Sequence, residues 1–103
     1  MQSVMEVVSF KLVEGSSDQD FIEANDTLNS WVKQQPGFES RKLIKQQDGS
    51  WLDVVQWKSL EQAQSAGEKF MAELGDSQCM EMINPETVSM GHHDLMIQIG
   101  TSA

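Results

Sequence analysis

At 103 residues the chain is sized for one domain, spanning 1–103, with a core that is small for its surface. Sixteen acidic residues against seven basic ones give a net charge of −9. That balance leaves no basic face for a phosphate backbone or an anionic bilayer, so nucleic acid and membrane are excluded as expected partners. No stretch reaches the roughly 20 apolar residues that span a bilayer, and Met1–Glu6 has neither the basic nor the apolar region of a leader. The single cysteine, Cys79, cannot form an internal disulfide, and a reducing, cytoplasmic compartment is the expectation.

In chain order, Met5–Val13 (MEVVSFKLV) reads as a strand with apolar residues at both parities, hence one covered on both faces. Ser17 or Asp18 then caps a helix with Asp18, Asp20 and Glu23 near its positive end. Phe21, Ala24, Leu28, Trp31 and Val32 recur at three- and four-residue steps and form its apolar stripe. Pro36-Gly37 ends that helix. Phe38–Gln47 and Ser50–Trp57 follow as a hairpin around Asp48-Gly49, which predicts a two-residue type I′ turn. That loop pairs Gln47 with Ser50, Ile44 with Asp53 and Lys42 with Val55. One face then carries Lys42, Ile44, Trp51, Asp53, Val55 and Trp57, and the other Arg41, Leu43, Leu52 and Val54.

Ser59-Leu60-Glu61-Gln62 is a capping box, and a second helix runs Leu60–Leu74 with Gly75 after it. A helical turn over Asp76–Ile83 is stopped by Asn84-Pro85. Thr87–Ile99 reads as the last strand. Its apolar parity shifts around Gly91–Asp94, which predicts a bulge there. The order β-α-β-β-α-β is the ferredoxin-like, split βαβ arrangement: an α+β fold with both helices on one face of a four-stranded antiparallel sheet in the order 4-1-3-2. The second face, with Val7, Leu43, Leu52 and Val54, is too apolar to stay wet, and a second copy of the sheet is its expected cover.

Pro36–Phe38 (PGF), Asp48–Trp57 (DGSWLDVVQW) and Trp57–Ala63 (WKSLEQA) together resemble the antibiotic-biosynthesis-monooxygenase-like family. The resemblance runs from about Met5 to Leu95. It implies a dimeric α+β barrel: a homodimer joined sheet to sheet, with a pocket between sheet and helices in each protomer. Members include cofactor-independent monooxygenases, quinol monooxygenases and haem-degrading enzymes. Trp57 matches the strand-end tryptophan that lines the pocket of the haem-degrading branch. That branch's first-strand Asn falls near Val8, and Leu60–Ile83 holds no His where its second helix supplies one. Haem degradation is therefore not expected, and no cofactor is. The chain also lacks Tyr, which quinone-oxidising members often use.

Several residues are candidates for chemistry. Asp53 shares a strand face with Trp51 and Trp57, and a carboxylate among rings can act as a base. A structural ion pair with Lys42 or a helix group explains it as well. Glu6 shares the parity of Val8 and Phe10 on a strand expected beside the third, where it could share a proton with Asp53; otherwise it is a solvated strand end. His92 and His93 are adjacent, so they point to opposite faces. One could shuttle protons at neutral pH, while the pair makes a poor chelate and predicts no metal. Catalysis thus falls to Asp53, His92 and His93, and ligand contact to Trp57, Glu6 and Lys42. The expected function is binding of a small aromatic or quinol-type ligand, with cofactor-independent monooxygenation as the activity. The alternative is a non-catalytic ligand-binding or dimerisation module.

Overall fold

The computed structural model describes residues 3–100. Strand β1 (Val4–Phe10) leads to helix α1 (Asp18–Val32), then to the hairpin β2 (Phe38–Lys45) and β3 (Trp51–Trp57). Helix α2 (Leu60–Leu74) follows, then the short α3 (Gln78–Glu81), a 3-10 turn at Pro85–Thr87 and β4 (Ser89–Asp94). The four strands form one antiparallel sheet in the order β2-β3-β1-β4. This is the α+β ferredoxin-like topology expected from the sequence.

The caps form as the residue types dictate. Ser17 accepts the Asp20 N–H and Ser59 accepts the Gln62 N–H, each meeting an orphan donor of a first helical turn. Between α1 and β2, Gly37 sits at φ 84°, and a Cβ there would lie 2.3 Å from the Gln62 side chain. Only glycine fits both that backbone and that neighbour, so the β2 entry nests against the α2 N-terminus.

The hairpin departs from the expected register. Gln46, not Gln47, faces Ser50: its N–H donates to the Ser50 carbonyl at 2.8 Å. Asp48 does not take the positive φ that a type I′ turn demands of both central residues. Among the described residues only glycines have positive φ, Gly49 here at 91°. The Asp48 carboxylate instead accepts the Ser50 N–H and hydroxyl at 2.9 and 2.6 Å. The loop is therefore three residues with a glycine bulge. The register becomes Leu43↔Asp53, Lys42↔Val54 and Arg41↔Val55. The one-residue slip turns the β2 side chains from Ser40 onward to the other face, while a bulge between Phe38 and Ser40 keeps Phe38 against Trp57. Arg41 and Leu43 thus face the helices, while Lys42 and Ile44 face away.

The last strand is also shorter than expected. It pairs with β1 without a bulge from Ser89 to Asp94 and stops where β1 begins, with one further bond from the Leu95 N–H to the Ser3 carbonyl. The parity shift marks the end of pairing rather than a bend within it. Met96, Ile97 and Ile99 are exposed.

The helix-facing side holds two apolar clusters. One gathers Val32, Val55, Trp57, Ala63 and Ala66, the other Phe10, Phe21, Trp51 and Cys79. Edge-to-face ring contacts organise both: Phe38 with Trp57 at 6.0 Å, and Phe21 with Phe10 and Trp51 at 5.7 and 5.1 Å. The opposite face carries Met5, Val7, Leu52 and Val54, all part-buried, and the exposed Ile44.

Candidate functional site

A cavity of about 1020 Å³ opens between the inner sheet face and α2. Its lining is mostly apolar, with a few polar side chains pointing in from the sheet, which is the usual make-up of a small-molecule site. Strand alternation supplies those groups. On β1, Glu6 lies between Val4 and Val8. On the flanking strands it sits across from Val55 of β3 and His92 of β4. Glu6, His92, Asp53, Arg41 and Trp57 all line the cavity.

Glu6 and Trp57 bond directly: the indole N–H donates to Oε1 at 3.0 Å. The other carboxylate oxygen, Oε2, stands 3.8 Å from His92 Nε2. That spacing suits an ion pair and is too long for a hydrogen bond. His92 Nε2 is buried without a hydrogen-bond partner. Burial pushes the Glu6 carboxyl above its ordinary range, against the pull of the Trp57 N–H and His92, and with some help from the Asp53 charge.

Asp53 meets a different environment. The Arg41 guanidinium grips it at two points, Nε to Oδ1 at 3.0 Å and Nη2 to Oδ2 at 2.8 Å. Arg41 also donates to Asn29 at 2.6 Å and to Asn25 at 2.7 Å, both on α1. Asn25 itself is buried and donates to the Phe21 carbonyl at 2.8 Å. The side chains of Arg41 and Asp53 are only 8% and 19% exposed. Asp53 is thus an anion with a matched, desolvated cation beside it.

The structure therefore brings Glu6, Asp53, Trp57 and His92 of the sequence candidates together. It does not bring Lys42 or His93 to them. Lys42 leaves the group because the three-residue loop turns β2 over. Asp53, expected to pair with Lys42, pairs with Arg41 instead. His93 leaves by alternation from His92 and lies over Gly91 on the outer face. The sequence reading missed Arg41, Asn25 and Asn29. Asn25 and Asn29 are four residues apart on the inward stripe of α1, and two amides on an apolar stripe call for a buried polar partner. Cys79 also lines the cavity. Burial pushes its thiol up, so it packs there as a small apolar group. Among the described residues no group of three or more His, Cys, Asp or Glu is placed to hold a metal ion, and no helix is long and apolar enough to cross a membrane.

Replacing Arg41 with methionine strands the Asp53 carboxylate and should cost about 3 kcal/mol in a denaturant titration. The double variant Arg41→Met/Asp53→Leu should recover at least half of that loss, because no buried charge is left unpaired. A double variant no more stable than the single one would show that the pair is not desolvated.

Glu6→Gln keeps an acceptor for Trp57 and removes the charge. The folded-state value of Glu6 lies above the unfolded one, so the protonated form favours folding. Its contribution is complete below the unfolded value and is lost as pH rises through the folded one. Glu6→Gln should therefore melt above the wild type at pH 7, and the two curves should converge below about pH 4, under the ordinary glutamate value. A pH-independent difference in melting temperature would contradict this.

No family model matches the chain, and no curated protein matches it by sequence. Solved structures do match. SnoaB, a cofactor-independent oxygenase from Streptomyces nogalater, superposes with a TM-score of 0.63 at 15% identity, over 97% of each chain. The haem-degrader MhuD from Mycobacterium tuberculosis, solved with two haems in its active site, gives 0.73 at 18% identity over 94% of this chain and 99% of its own. A dimeric ferredoxin-like protein from an uncultured marine organism gives 0.71 at 12% identity over 99% and 95%. At such identities the likeness speaks to architecture, and that architecture is the ferredoxin-like fold of the antibiotic-biosynthesis-monooxygenase-like proteins.

Proposed function

We propose that the chain is a homodimeric antibiotic-biosynthesis-monooxygenase-like protein. Each protomer binds a small aromatic or quinol-type molecule in the cavity and oxidises it with molecular oxygen, without a cofactor. The observation that carries this reading is Glu6, a carboxylate facing an apolar cavity with the neutral Trp57 indole as its donor and His92 beside it. Asp53 is neutralised by Arg41 and serves as fixed charge. Glu6 and His92 are left to move protons.

For an activated ring CH₂ the steps balance. Glu6 takes one proton, and the carbanion gives its electrons to O₂, forming a carbon–oxygen bond and a peroxide anion. His92, in its protonated form, supplies the proton that makes the hydroperoxide. His92, having given up its proton, takes the remaining C–H proton as the O–O bond breaks. The carbon keeps one oxygen as a carbonyl, and the other leaves as hydroxide, which takes the proton held by Glu6 and becomes water. The substrate is both the reductant and the acceptor. The Trp57 ring and the apolar walls hold the reacting carbon away from bulk water.

Support for the oxidation comes from the fold shared with SnoaB and from the cavity's polar groups. Anthrone and a panel of quinols, added to the purified protein in an oxygen electrode, test it. The wild type should consume oxygen above the buffer rate, and Glu6→Gln should cut the rate by about 10²-fold or more while the ligand still binds. The wild-type rate should rise with pH along a limb set by Glu6, displaced upward from an ordinary glutamate. Binding without uptake across the panel would favour the alternative, a ligand-binding barrel with no turnover.

Support for the homodimer comes from the outer face, where Met5, Val7, Leu52, Val54 and Ile44 form a continuous apolar patch, and from the dimeric marine neighbour. Val54→Lys, at the centre of that patch, should convert a dimer to a monomer by sedimentation equilibrium. A wild type that sediments as a monomer at micromolar concentration would remove this part of the proposal.

A further inference from the structure

Three glycines adjoin α2, and they differ in what demands them. Gly37 is held by its positive φ and by the Gln62 side chain. At Gly75, just past the helix, a Cβ would lie 2.5 Å from the Met71 carbonyl oxygen. Gly67 sits in the middle of α2, where glycine weakens a helix relative to alanine. Nothing in the packing requires it, since a Cβ there would meet no heavy atom within 4 Å. Gly67 is one of the residues that line the cavity.

The helix stripe explains where that space begins. Ala63, Ala66, Gly67 and Phe70 fall at helical spacing on the face turned to the sheet. Ala63 and Ala66 are buried against Val55 and Trp57, so α2 lies close to the sheet there. One turn on, Phe70 leans instead on Trp31 of α1, edge to face at 5.7 Å, and the Trp31 indole donates to Glu73 at 3.0 Å. The helix is thus fastened at both ends of this face. Between the two fastenings the ceiling of the cavity at Gly67 is bare backbone.

We propose that Gly67 is the specificity-determining residue of the cavity: its missing side chain sets the upper size of the ring system that fits beneath α2. The inference rests on the reading of the cavity as an aromatic-ligand site, and it assigns a size limit within that site. Backbone without a Cβ offers a flat surface to the face of a planar ring. A side chain added at this position points into that space and competes with the part of the ligand farthest from Glu6. A one-ring molecule held at Glu6, His92 and Trp57 does not reach it, while a fused multi-ring molecule does.

Anaerobic equilibrium binding of hydroquinone, 1,4-naphthohydroquinone and anthrahydroquinone separates this role from turnover. Gly67→Leu should weaken the three-ring probe by about tenfold or more, the usual scale for a clash or lost contact in an apolar pocket, and leave the one-ring probe within about twofold. Gly67→Ala should raise the melting temperature by about 5 °C, as expected for relief of a mid-helix glycine into open space, with a smaller loss for the three-ring probe. Equal loss across ring sizes, no loss for any, or a lower melting temperature for Gly67→Ala would overturn the proposal. Graded loss in a protein that consumes no oxygen would uphold the size limit and reject the oxidation. Failure of every probe to bind the wild type would overturn both.

Discussion

The Arg41 guanidinium is the point through which sheet, helix and cavity are fixed relative to one another. It spends two donors on Asp53 of β3 and others on Asn25 and Asn29 of α1. Its acceptors lie on β3, which the ladder already joins to β2, and on α1, which otherwise meets the hairpin through the exposed Lys45–Asp18 ion pair and apolar contacts that tolerate sliding. A planar fork with directed donors does not tolerate it. The bonds therefore set the position of α1 over the hairpin more than they stabilise it, because burying the charges offsets most of their attraction. They also divide the interior. The Trp57 cluster lies to one side of this polar belt and the Trp51 cluster to the other.

The same guanidinium decides which carboxylate is free to do chemistry. Glu6 and Asp53 both line one cavity from adjacent strands. Asp53 has the Arg41 cation within hydrogen-bond distance. Glu6 has an indole donor and a histidine at 3.8 Å, with burial raising its proton affinity. Two like groups in unlike surroundings divide the roles of fixed charge and proton carrier. Asp53 then acts on Glu6 at a distance, since a retained negative charge makes ionisation of Glu6 harder.

Much of this was legible in the sequence, and the largest part that was not traces to one turn. The element order, the Ser59 cap and the strand parities of Glu6 and Trp57 follow from local pattern, which the structure keeps, whereas the choice of His92 over His93 as the inward one does not. The hairpin register does not. Asp48-Gly49 suits a two-residue turn, yet it also suits a three-residue one when the Asp48 carboxylate can fold back on Ser50. That choice depends on a side-chain hydrogen bond rather than on residue preference, and it reverses β2. Lys42 and Arg41 exchange faces, Leu43 joins the core, and Ile44 becomes exposed. The length of β4 was also beyond local pattern, because Met96, Ile97 and Ile99 look strand-like yet lie past the Val4↔Asp94 end of the β1–β4 ladder.

A cavity of about 1020 Å³ is large for a protein of 103 residues, and it needs a reason to stay open. An apolar hollow open to water favours closure, because drawing its walls together removes apolar surface from solvent. Here collapse is opposed from several sides. The sheet is rigid and its inner face is studded with bonded polar groups, which cannot be pressed into an apolar ceiling without losing partners. The ceiling is pinned to the sheet by Ala63 and Ala66 and to α1 by the Trp31–Phe70 contact and the Trp31–Glu73 bond. Helix α2 can neither descend nor roll without breaking one of these. The groups that would be chosen for chemistry are thus the ones that keep the space for a ligand, so emptying the site of its charges would also remove part of what holds it open.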